Sequence, residues 1–140
     1  MSTPLSIRFP DPVAERVRNH VAATNEPTSG LVVRLVDEGM RMAEHPGITF
    51  RDGPTGRRAG LAAGPDVWEV IAVLRDYATG NGQNAVKRTA DDLAISKVHV
   101  RVAESYFVAY PDEIDARIAL NIGAAQLAGE AARRRADLRA

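Results

Sequence analysis

The sequence predicts a mainly α-helical chain with short β elements, divided into a small N-terminal unit and a larger helical unit. Three observations carry this expectation. Apolar residues recur every three or four positions over most of the chain, as they do in amphipathic helices. Period-two alternation, the mark of a half-buried strand, is confined to short stretches. Pro- and Gly-rich punctuation at 25–27, 45–47 and 80–84 cuts the chain into helix-length pieces. Apolar residues make up 45% of the 140 residues, enough for a buried core, and aromatics only 5%, so that core must be largely aliphatic. There is no cysteine, which excludes disulfides, thiol catalysis and Cys-based zinc sites and fits a cytoplasmic chain. No stretch approaches the ~18 apolar residues of a membrane span. Arg8 and Asp11 interrupt any signal-peptide layout.

Lys plus Arg and Asp plus Glu each count 18, a formal net charge of zero. A nucleic-acid binder usually carries a basic surplus. Any DNA surface must therefore be local, with cations segregated onto one face.

The first element is PLSIRFP, in which Leu5, Ile7 and Phe9 alternate with Ser6 and Arg8. This is a short strand. Asp11 as N-cap and Pro12 at the first helical position then open a helix with Val13, Val17 and Val21 on one face, running to about Ala23. Asn25, Glu26 and Pro27 break it. Thr28 or Ser29 can cap a second helix bearing Leu31, Val32, Leu35, Val36 and Met40, which runs to about Ala43. The strand has no neighbouring strand in sequence, and unpaired backbone groups are costly. The economical solution is a second copy of the same strand, antiparallel across a two-fold axis, with Leu5, Ile7 and Phe9 as the dimer interface.

The pattern LSIRFPDPVAERV…EPTSGLVVRLVDEGM resembles the ribbon-helix-helix (MetJ/Arc/CopG) DNA-binding fold over about a third of the chain. The resemblance implies a homodimer whose two-stranded ribbon enters the major groove of double-stranded operator DNA. It makes Ser6 and Arg8 the base readers. Arg8 leads, because a guanidinium can pair bidentately with guanine for ~1–3 kcal/mol of discrimination. It also implies that Thr28, Ser29 and Gly30 offer hydroxyls and backbone N–H groups to a phosphate at a positive helix end. Pro4 stands where the family often carries a polar or basic residue. Simple dimerisation without DNA is the alternative for this unit, taken as residues 1–44.

Beyond a linker at His45, Pro46 and Gly47, Ile48–Phe50 reads as a strand, Asp52–Gly56 as a turn, and Arg57–Leu61 as the returning strand of a hairpin. Gly64, Pro65 and Asp66 start a helix with Val67, Val70, Ile71 and Leu74 facing a core and Trp68 flanking them; Gly80–Asn84 is a loop. Residues 86–109 have helix-turn-helix spacing. Ala90, Leu93, Ala94, Ile95, Val100 and Ala103 place small residues where two helices cross and apolar ones behind them, with Ala94 replacing the usual turn glycine. The second of these helices starts near Ser96 or Lys97. Lys97, His99 and Arg101 at its start, and Lys87 and Arg88 ahead of the first, are candidate phosphate contacts. Arg57 and Arg58 are either DNA contacts from the hairpin or solvated charges. Pro111 opens a last long helix with Asp112, Glu113 and Asp115 at its N-terminus. Ile114, Ile118, Ile122 and Ala125 form one of its faces, and Ala116, Leu120, Ala124 and Leu127 another.

The run HPGITFRDGPTGRRAGLAAGPDVWEVI…YPDEIDARI is similar to the domain-of-unknown-function family numbered 433, a hairpin plus helix-turn-helix of VapB-like antitoxins. The likeness spans roughly residues 45–122, within a second domain taken as 45–132; the segment after Tyr77 is longer than usual. It implies a PIN-like ribonuclease toxin as partner. The basic tail, 133–140, holds Arg133, Arg134, Arg135 and Arg139, which serve either as a solvated helix end or as an arm that plugs the toxin's acidic site.

Nothing points to catalysis, to a metal or to a cofactor. His20, His45 and His99 are dispersed, and Asp91–Asp92 and Asp112–Glu113 sit at helix starts where capping explains them. No phosphate-binding loop is present, and Gly80-x-Gly82 lacks the third glycine of a dinucleotide loop. The expectation is an antitoxin-type transcriptional repressor, with a toxin-free transcription factor or a dimeric adaptor as rivals.

Overall fold

The computed structural model describes residues 1–80 and 82–140; the expected loop at 80–84 lies within the description except for Asn81. Eight elements follow one another: α1 (Asp11–Thr24), α2 (Thr28–Glu44), β1 (Ile48–Arg51), β2 (Arg58–Leu61), α3 (Val67–Thr79), α4 (Ala85–Leu93), α5 (Lys97–Ala109) and α6 (Pro111–Asp137). The chain is mainly helical, with one small antiparallel sheet, as the periodicities predict. It divides into two units, residues 1–40 and 41–140, so the division falls inside α2 rather than at the linker after Glu44.

In the first unit both helices begin directly after a proline. The Pro10 carbonyl accepts from the Val13 and Ala14 N–H groups at 3.0 Å each, and the Pro27 carbonyl from Leu31 at 2.9 Å. The expected caps therefore shift. Asp11 is the first residue of α1 and makes no capping bond, although its charge still suits the positive helix end. Thr28 and Ser29 lie within the first turn of α2 rather than ahead of it. Asn25 ends α1 in the left-handed conformation, φ 56°, with its N–H bonded to the Val21 carbonyl, a role asparagine fills more readily than most residues. Residues 1–10 form no strand with any described part of this chain, and all of them are exposed. Only Leu31 and Glu38 are buried in the whole unit.

The second unit has a core of its own. Val67, Val70 and Ile71 from α3 meet Ala90 from α4, Val100, Ala103 and Tyr106 from α5, Ile114 from α6, and Ile48, Ala59 and Leu61 from the hairpin. The hairpin register pairs Ile48 with Leu61 and Arg51 with Arg58. α3 begins just after Gly64, Pro65 and Asp66, as expected, and Asp66 is its N-cap, its N–H donating to the Glu69 carboxylate at 3.0 Å. Its own carboxylate is buried and holds the hairpin to the helix. Arg58 forms a close ion pair with it, the Arg51 Nε lies 3.4 Å away, and the Trp68 indole donates at 3.3 Å. Arg51 also donates to the Leu61 and Gly64 carbonyls at 2.7 and 3.1 Å. That guanidinium lies across Gly60, where an added Cβ would come within 2.0 Å of it, so a larger residue there would have to displace the Arg51 side chain. No described helix is long and apolar enough to cross a membrane.

Candidate nucleic-acid interface

The first unit presents an apolar surface, with Arg8 exposed on its lead segment. Leu5, Ile7 and Phe9 are 83, 61 and 41% exposed, and Val33, Leu35, Val36 and Met40 on α2 are exposed as well. Ser6 and Arg8 alternate with the first three in the non-helical lead segment and are likewise exposed. Two of the unit's acids are engaged internally. Glu26 accepts two bonds from Arg34, at 3.1 and 3.0 Å, and Glu38 lies 3.7 Å from the same guanidinium. Thr28, Ser29 and Gly30 lie exposed in the first turn of α2, and an added Cβ at Gly30 would meet nothing within 4 Å. First-turn N–H groups have no partner within a helix, so this end can accept an anion.

In the second unit, α4 and α5 are joined by three residues. Ala94 takes the left-handed conformation, φ 53° and ψ 42°, where a glycine is usual. Ser96 caps α5 by accepting the His99 N–H at 3.2 Å. Val100, Ala103 and Tyr106 face the core, while Lys97, Val98, Arg101, Ser105 and Val108 are exposed. Lys97, Arg101 and Ser105 follow one another at four-residue spacing and share a face. His99 is half-buried and lies off that face. Lys87 and Arg88, expected just ahead of α4, lie within it and are already engaged. Lys87 pairs with Asp91 at 2.6 Å, and the Arg88 guanidinium stacks 4.3 Å from the Tyr77 ring. The Tyr77 hydroxyl donates to Asp92 at 2.5 Å, and that bond raises its pKa above the ordinary value.

The hairpin arginines differ from the expectation. Arg58 is mostly covered and tied to buried Asp66, so its charge is used inside the unit. Arg57 lies 3.3 Å from Asp52. The residue that fixes this turn is one the sequence does not single out: Arg117 of α6 donates to the Thr55 carbonyl at 2.6 Å and to the Arg57 carbonyl at 2.9 Å. A second unpredicted cluster surrounds Tyr106, whose buried hydroxyl donates to Glu113 at 2.7 Å. Arg41 donates to the Tyr106 hydroxyl and to Glu113, each at 3.0 Å, and lies 4.0 Å over the Tyr110 ring. Burial and the Glu113 bond push the Tyr106 hydroxyl well above the usual tyrosine range. Burial acts to lower the Arg41 pKa, but Tyr106 and Glu113 outweigh it and raise the value. Glu113 reads in sequence only as a helix-start acid, because no local pattern announces a partner 72 residues away.

Arg133, Arg134 and Arg135 lie exposed on the last turns of α6, and Arg139 lies exposed beyond it. Among the described residues no cluster of three or more His, Asp or Glu side chains could hold a metal ion. The structure thus groups Lys97 with Arg101, leaves Ser6 and Arg8 exposed in a non-helical segment, and takes Arg58 out of the exposed set. No family of known proteins, no curated protein and no solved structure matches this chain.

Proposed function

We propose that this protein is a dimeric DNA-binding transcriptional repressor that reads the major groove with a ribbon built from residues 4–10 of two copies. One observation carries the reading: the first unit holds half of a core. It buries two residues, yet exposes Leu5, Ile7, Phe9, Val33, Leu35, Val36 and Met40. An apolar surface of that kind in so small a unit marks an interface. The lead segment alternates apolar and polar side chains and lacks a strand partner, so pairing with its own copy satisfies the backbone and covers Leu5, Ile7 and Phe9 together. Ser6 and Arg8 then fall on the outer face, where a ribbon meets base edges.

The test is a gel shift of the full chain on the DNA upstream of its own coding region, in rising salt. The expected result is sequence-selective, salt-sensitive binding, because neutralising phosphates releases counterions. Arg8→Ala should remove the sequence preference and leave the dimer intact. An unchanged footprint from that variant overturns the role of Arg8, and binding that survives Ile7→Asp overturns the ribbon. We propose further that the protein acts as an antitoxin to a PIN-like ribonuclease, a reading that rests on the resemblance and on the exposed tail arginines. It is checked by inhibition of a co-expressed PIN-like ribonuclease encoded beside this chain.

A further inference from the structure

Helix α5 presents a face that the ribbon leaves unused. Val100, Ala103 and Tyr106 turn inward to the core. Lys97, Val98, Arg101, Ser105 and Val108 point the other way and are exposed, in a stripe that covers about 100° of the helix circumference. No carboxylate lies in that stripe. Glu104 stands half-buried at its margin, and Glu44 lines the same groove as Val98 and Arg101. Neither acid forms an ion pair with Lys97 or Arg101.

These two cations differ from the others of their unit. From residue 41 to residue 117, every other lysine and arginine is tied to a carboxylate, a carbonyl or an aromatic ring of the same unit. Among the described residues, Lys97 and Arg101 have no such partner. Lys97 also occupies the first position of α5, where a positive charge works against the helix dipole. The first turns of α3 and α6 carry acids instead. A side chain that breaks a local rule of stability, and satisfies nothing inside the fold, marks a place where an outside partner supplies the compensation.

That partner must offer negative charges roughly 6 Å apart, the rise of four helical residues. It must also lie along the side of a helix and accept two valines set among the cations. Duplex DNA meets these conditions. Its phosphates are closely spaced. Its major groove admits an α-helix, and its thymine methyl groups take apolar side chains. We infer that the outward face of α5 is a second DNA-contacting surface, with Lys97 and Arg101 on phosphates. The inference rests on the reading of this protein as a DNA binder, but not on the ribbon, which belongs to the other unit. It also gives the formal neutrality of the chain a physical sense: most cations of the second unit are used internally, and positive charge is left over where DNA is met.

The experiment measures the affinity of the full chain for a short random-sequence duplex by fluorescence anisotropy across a salt series. Each phosphate contact contributes about 0.9 to the slope of log affinity against log salt, so Lys97→Gln with Arg101→Gln should make that slope shallower by about 2 per chain. Both positions are exposed, and the circular-dichroism spectrum should not change. Lys87→Gln with Arg88→Gln removes the same charge from α4, where both cations are engaged, and should leave the slope nearly unaltered. An unaltered slope in the α5 variant overturns the inference and points to an acidic protein segment as the occupant. Equal losses in the two variants overturn it as well, since net charge alone then accounts for the binding. The ribbon is read separately. Its failure shows as an operator preference that survives Arg8→Ala, a result that leaves the slope comparison at α5 intact.

Discussion

At the scale of single residues, the turn between α4 and α5 holds a conformation its side chain disfavours. A non-glycine residue in the left-handed region costs roughly 1–2 kcal/mol, and Ala94 is exposed, so its methyl group recovers little by packing. Ala94→Gly is expected to stabilise the protein by about 0.5–1 kcal/mol once the added freedom of the unfolded glycine is counted, measured as a higher urea midpoint. Tyr106 supplies a pH dependence. Its hydroxyl ionises less readily in the fold than at its ordinary value of 10.0. The stability it contributes is therefore fully present below pH 10 and is lost as pH rises toward the raised folded value. Tyr106→Phe should lower stability at pH 7 and flatten its alkaline decline, seen as thermal midpoints between pH 8 and pH 11. The turn, Asn25 and the Ser96 cap are legible in sequence because each acts on neighbours within four residues. Arg41 with Glu113, and Arg51 with Asp66, are not legible, since those partners are chosen by how whole elements pack.

At the scale of elements, the hairpin shows how a charge that reads as a surface contact becomes structural. Arg58 stands in a basic run beside a turn, which in sequence is equally a DNA contact or a solvated cation. In the fold it neutralises a carboxylate that caps α3. Arg58→Ala is therefore expected to leave DNA affinity unchanged in the folded protein and to destabilise it by about 3 kcal/mol, because it strips a buried carboxylate of its main partner. Chemical denaturation beside a gel shift separates the two effects. Periodicity found every helix and both strands of the hairpin, to within a residue or two at most ends. The proline-led starts of α1 and α2 were harder to place, since a proline carbonyl accepts the first helical bond as well as any other and leaves the polar residue after it nothing to cap. α5 was legible as an amphipathic helix, and its outward Lys97 and Arg101 follow from the same periodicity. The pairing of Lys87 with Asp91 is also a four-residue effect, but the stacking of Arg88 on Tyr77 depends on the packing of α3 against α4.

At the scale of the whole molecule, the two units are built on different plans. The second closes its own core around Val70, Val100 and Tyr106. The first does not, and its stability should depend on how much of the protein is present. Thermal unfolding should show a midpoint that rises with concentration, because a folded dimer is favoured over unfolded chains by mass action. A midpoint that stays fixed over a hundredfold range in concentration would count against the shared core. This feature was readable from the sequence as a strand without a partner, whereas the four-residue displacement of the unit boundary into α2 was not. Arg41, the first residue of the second unit, has its side-chain partners Tyr106, Tyr110 and Glu113 more than sixty residues along the chain.

The position of that boundary bears on how the protein is broken down. Chains built of separately packed units are usually nicked between them, at an exposed non-helical linker. Here the passage from residue 40 to residue 41 is an ordinary turn of α2, whose backbone is held by helical hydrogen bonds and fits poorly into a protease cleft. The longest exposed non-helical stretch among the described residues is 1–10, and the proposed ribbon would shield it in a dimer. A protease should therefore trim the free chain first at residues 1–10, and if that segment forms the proposed ribbon, operator DNA should protect it from digestion.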